Sequence, residues 1–90
     1  MGEVVDVLLA AKDRIIDGWV PHAPRRHGEV CAAAAIFRED AQWSVEIDAL
    51  DLLQQTIGTG ITVWNDAQTD KQVVIDAFDA AIRLAKEREL

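Results

Sequence analysis

The chain has 90 residues and holds a single cysteine, two prolines and no tyrosine. One thiol cannot close an internal disulfide, so the fold must rest on packing, which agrees with a reducing, cytoplasmic setting. Basic residues are scarce too: nine lysines and arginines stand against sixteen acids, a formal charge of −7. A field of that sign repels phosphate backbones and argues against nucleic acid as a partner. The longest apolar runs, Val4 to Ala11 and Cys31 to Phe37, fall far short of the roughly 20 residues that span a bilayer, so no membrane partner is expected. Glu3 stands where a secretory leader would carry positive charge, and Asp6 where a myristoylation pattern has Ser or Thr. Neither a leader nor a lipid anchor is expected.

What is present is ordinary material for a packed globule: half the residues are hydrophobic and 28% are charged. The length allows one domain. The pattern predicts an all-α fold over residues 1–90, a small four-helix bundle-like domain with a long loop between helices one and two. Val4, Leu8, Ala11 and Ile15 recur at helical spacing, widened by Val5, Leu9 and Ile16, with Asp6, Asp13 and Asp17 opposite. Gly18 is placed to close this helix in the left-handed conformation, and Pro21 and Pro24 cannot continue it. The alanine-rich stretch after Cys31 predicts a second helix over about 30–39. Ser44 is the expected N-cap of a third, with Ile47, Leu50, Leu53 and Ile57 facing inward, Glu46, Asp51 and Gln55 facing water, and Gly58 and Gly60 ending it.

Ile61-Thr62-Val63-Trp64 is β-branched and extended in character, but one short strand has no partner, so it is expected to be a buried linker. Thr69 and Gln72 fit a capping box and Asp66 offers a second N-cap, so helix four should start between them and run to about Glu87. Val74, Phe78, Ala81 and Ala85 form its core stripe, while Asp79 and Arg83 make a solvated pair. Helix one is apolar around much of its circumference, which favours self-association and a homodimer.

Residues 18–31 concentrate the unusual chemistry: both prolines, both histidines, Arg25, Arg26 and Cys31. Loops this long are either functional or pinned by their own packing. His22, His27 and Cys31 are metal-capable, and Asp66 could complete a set, but their spacings match no zinc signature, so neither a metal nor another cofactor is expected. Cys31 lies near the start of helix two, where a dipole favours thiolate, and Asn65 or Asp66 could orient a histidine beside it. Against that, free cysteines and alanine-rich faces usually belong to the core, and no catalytic residue is assigned. Arg25 and Arg26 with the histidines form a basic cluster suited to a phosphate or an acidic partner, unless surface acids such as Asp13, Asp17 or Glu29 neutralise it. Trp19, Trp43 and Trp64 fall at helix junctions, where they either seal the bundle or mark an interface.

The Leu-x-x-Ala step of helix one, Gly18-Trp19, the single Cys31 opening an alanine-rich helix, and Trp64-Asn65-Asp66 before the last helix resemble a family of small bacterial and bacteriophage proteins of unknown function. The resemblance implies no activity, cofactor or catalytic residue. Physically, Trp64 is expected to plug the bundle, Asn65 to permit a sharp turn and Asp66 to cap the last helix, its loss to alanine costing about 1 kcal/mol.

These readings favour a small non-enzymatic protein-binding or regulatory module, such as a bacteriophage or host-modulating factor, with another protein as partner. Candidate binding residues are Trp19, His22, Arg25, Arg26, His27, Cys31 and Trp43, with Gly18, Trp64, Asn65 and Asp66 structural. The alternative is a small enzyme or ligand-binding domain that uses the 18–31 loop and Cys31. Mimicry of DNA by surface carboxylates is disfavoured, because nine bases are interspersed among the acids.

Overall fold

The computed structural model describes residues 2–22, 25–26, 28–37 and 43–90, with the backbone alone for Arg25 and Arg26. Among these residues lie five helices, α1 (Glu3–Asp17), α2 (Ala32–Ile36), α3 (Trp43–Ile57), α4 (Ile61–Ala67) and α5 (Lys71–Glu87). A two-residue antiparallel ladder joins β1 (Arg25–Arg26) to β2 (Glu29–Val30). The class is all-α, with one helix more than the periodicity suggested.

Helix α1 is the hub, packed against α5, α2, α3 and β2. Its apolar stripe buries Val4, Val5, Val7, Leu8, Ala11 and Ile15, and this corrects the ground given for self-association. The wide apolar circumference is covered within the chain, and Ile16 is its one large exposed hydrophobic. The amphipathic α5 lies alongside, burying Val74, Phe78, Ala81 and Ala85, the four residues of the expected stripe, together with Ile82. Phe78 and Leu8 are the largest fully enclosed side chains.

Helix α3 is rotated from the expected orientation. It buries Ala49, Leu52 and Leu53 and carries Glu46 inward with them, while Ile47, Leu50 and Ile57 are only partly covered. Positions 46, 49 and 53 share one face, and the small Ala49 lets that face approach closely. Glu46 is consequently 6% exposed, and its Oε2 has no hydrogen-bond partner among the described residues. Trp43 is already helical, so Ser44 lies inside the helix and is not its cap.

The 61–64 segment is the largest departure. It forms the helix α4, with Gly60 as N-cap residue and the Ile61 N–H donating to Gln54 Oε1 at 3.1 Å. A strand would alternate its side chains, whereas a helix places Ile61 and Asn65 four apart on one buried face and leaves Thr62 and Val63 to solvent. Burial on one side overrides the β-branched preference. Asp66 therefore lies inside α4 and caps nothing, and Thr69 is exposed outside the last helix. The cap of α5 is Asp70, whose Oδ1 accepts the Gln72 N–H at 2.9 Å.

At the end of α1, Gly18 is extended, with φ 178°, and not left-handed. A Cβ there would come within 3.1 Å of the Glu29 side chain and 3.4 Å of its Cα, so any larger residue would press Glu29 aside. The chain then folds back on itself. Val20 N–H donates to Val30 O at 3.1 Å and Val30 N–H to Gly18 O at 3.0 Å, with Gly28 at φ 84° between β1 and β2. Asp79 binds Lys12 of α1 at 2.6 Å. No helix of the described residues is long and apolar enough to cross a membrane.

Candidate functional site

The folded-back loop is held from the side by α4, and the holding residue is Asn65. Its side chain is 1% exposed, and both ends of the amide are used. The oxygen accepts Trp19 Nε1–H at 2.7 Å and the Ala32 N–H at 3.1 Å, while the nitrogen donates to Val20 O at 3.3 Å. Two donors converging on one side fix the amide orientation, because only the oxygen accepts. The bond to Ala32 also satisfies one of the N–H groups that every helix start leaves open. Asp66 adds a fourth tie, accepting the His22 N–H at 2.8 Å. His22 has φ 65°, a left-handed conformation that L residues adopt only when surroundings impose it. Trp64-Asn65-Asp66 is thus a latch across loop, α2 and α4, with no sharp turn at Asn65 and no helix start at Asp66.

Beside the latch a cleft of about 340 Å³ opens between α2 and α4. Ala33, Ala34 and Phe37 wall one side, Thr62 and Asp66 the other, and Cys31 and His22 line it as well. Residues 33, 34 and 37, and residues 62 and 66, stand at helical spacings that share a face. Cys31 is buried, and its Sγ accepts the Ala34 N–H at 3.4 Å, so the sulfur serves as the N-cap acceptor of α2. A thiol, an imidazole and a carboxylate line one cleft, yet no group of three His, Cys, Asp or Glu among the described residues is placed to hold a metal ion.

The expected site residues separate. His22 and Cys31 reach the cleft, joined by Asp66. Trp19 turns to Asn65 and packs on the core, as Trp64 does. Trp43, 71% exposed, begins α3 and lines no cleft described here. Arg25 and Arg26 form β1, and His27 lies outside the described residues. Sequence reasoning missed Ala33, Ala34, Phe37 and Thr62. The alanines were legible as a close-packing face, whereas Thr62 lines the cleft because its segment is helical.

A second grouping was also invisible in the sequence. Lys12 of α1 meets Arg83 and Lys86 of α5 around a groove of about 450 Å³ floored by Leu9 and Ile82. Asp79 lies in the same groove, paired with Lys12 across the helices, where the sequence suggested Arg83 as its partner.

The chain belongs to DUF6197, a family of unknown function, whose profile matches residues 1–84. No curated protein and no solved structure matches it.

Proposed function

We propose, from membership in a family without assigned activity, that this is a small non-enzymatic protein-binding module whose recognition surface is the α2–α4 cleft. One observation carries the reading: an apolar cleft with a floor of alanine has a large hydrophobic residue left partly in water on its wall. That residue is Phe37, 38% exposed. A cleft of that volume accepts one bulky apolar side chain, the anchor typical of an interface centre, with Phe37 packing beside it. The thiol is engaged as a helix cap, which favours binding over nucleophilic chemistry. In a bacteriophage setting the partner would be a host protein and the module a host-modulating factor.

The test is affinity capture from a native host lysate with wild-type protein and an Ala34→Leu bait whose extra carbons fill the cleft. A specific partner held by wild type and lost from the filled variant, with both melting alike, is the expected result. Equal capture by both baits would remove the cleft from the interaction. Self-association belongs to this proposal through Trp43, and sedimentation of Trp43→Ser beside wild type reads it.

A second reading has its own support, since about 340 Å³ lies within the range of small-ligand pockets. A low-molecular-mass adduct in native mass spectra, lost in Ala34→Leu, would favour it.

A further inference from the structure

The cleft is apolar on most of its surface, and among the described residues that line it Asp66 is the only carboxylate. One oxygen of Asp66 takes the His22 N–H, and among the described side chains no cation pairs with the group. Resting on the cleft reading above, we infer that the segment it recognises carries a bulky apolar side chain next to a lysine or arginine, the apolar group seated against Ala33, Ala34 and Phe37 and the cation on Asp66.

Three physical steps lead there. Seating an apolar group expels water from beside Asp66, and a carboxylate that loses water without gaining a partner opposes binding. A ligand that brings its own cation replaces the lost hydration with a charge-assisted bond to the Asp66 carboxylate. The chain's formal charge of −7 acts in the same direction, raising the local concentration of cationic partners and repelling anionic ones. The same charge disfavours a second copy of this chain as occupant, because its surface is as acidic as the one it would approach. The occupant is therefore a basic, apolar segment of a different protein.

The experiment titrates the whole chain, labelled with ¹⁵N, with three acetylated, amidated tetrapeptides that differ in one residue: Gly-Phe-Lys-Gly, Gly-Phe-Gln-Gly and Gly-Phe-Glu-Gly. The lysine peptide is expected to shift the amides of Ala33, Ala34, Phe37 and Thr62, at about one tenth of the concentration that the glutamine peptide needs. The glutamate peptide should be weakest. Asp66→Asn keeps an acceptor for the His22 N–H, and in it the lysine and glutamine peptides should bind equally. If wild type does not prefer lysine, or Asp66→Asn retains the preference, the cation assignment is wrong while the cleft reading stands. If no peptide shifts these amides, both fail. A parallel titration with 4-phenylbutylamine tests the source of the cation: binding of the free amine without binding of the lysine peptide would overturn a protein segment as the occupant.

Discussion

The two sides of this small domain share one core but differ in what is added to it. On one side α1, α3 and α5 interlock through repeating apolar stripes, with polar ties such as Lys12–Asp79 at their surface. On the other, β2, α2 and α4 supply Val30, Ala32, Ala35, Ile36 and Ile61 to the same core, and one buried amide and one carboxylate bind backbone groups and an indole of the folded-back loop. Non-directional packing leaves small rotations open. Hydrogen bonds weaken steeply away from their axis, so the latch fixes the loop against α4 more narrowly than packing alone would. The cleft opens beside that latch.

The widest effect expected from breaking this contrast is in the core. Phe78→Ala removes the largest enclosed side chain and should cost about 3–5 kcal/mol in denaturant unfolding, lowering both sides together. Asn65→Ala comes next. It leaves the Trp19 indole, the Ala32 N–H and the Val20 carbonyl without their partner, a loss of about 2–4 kcal/mol. This variant should also shift tryptophan emission, because Trp19 loses its bond. An unchanged spectrum would show that the indole contact does not exist in solution.

Among the described residues the core side buries one charged side chain within its apolar stripes, Glu46. Glu46→Gln keeps the volume and removes the buried charge. It is expected to raise stability by about 1 kcal/mol, readable as a higher midpoint at constant slope. Destabilisation would mean that the carboxylate has a structural partner after all.

Two aspartates near the start of α5 then differ in what they hold. Asp70→Ala should cost about 1 kcal/mol, because it removes the α5 cap. Asp66→Ala should cost about half of that, since its partner N–H is at an exposed residue. Its signature is faster hydrogen exchange at His22, with α5 unaffected. The smallest change is His22→Gly. Relief of the left-handed backbone offsets the greater freedom of an unfolded glycine, and stability should move by less than about 0.5 kcal/mol, leaving the cleft intact without its imidazole.

The sequence was most legible where a residue's environment is set by neighbours three and four positions away. Helix α1 ends before Gly18 as expected, and the α5 stripe is buried as its spacing implied. Where one face competes with another the outcome differed: α3 has apolar residues on adjacent faces, Leu53 is buried as expected, and only the fit against α1 and α5 selects Ala49 and Leu52 over Ile47. The site was half legible. Residues 18–31 were singled out for their composition, and they supply His22 and Cys31. The same composition also drew attention to Arg25, Arg26 and Trp43, none of which lines the cleft described here. Trp64-Asn65-Asp66 stood out as a fold signature, yet its partners could not be read from the chain, because a buried amide is satisfied by whatever the fold brings to it.

By itself, then, the sequence determined the helical class, the two long amphipathic helices that carry the core and the acidic character of the surface. These follow from composition and from periodicity over a few residues. Only the tertiary structure decided that β-branched residues 61–63 would be helical, that Asp66 would tie a loop instead of capping a helix, and that a cleft would form at all. Asn65 meets Trp19, Val20 and Ala32 across separations of 46, 45 and 33 residues, and Asp66 meets His22 across 44. No local rule specifies such pairs. They are selected when the packed core brings the two segments together and each buried polar group must find a partner.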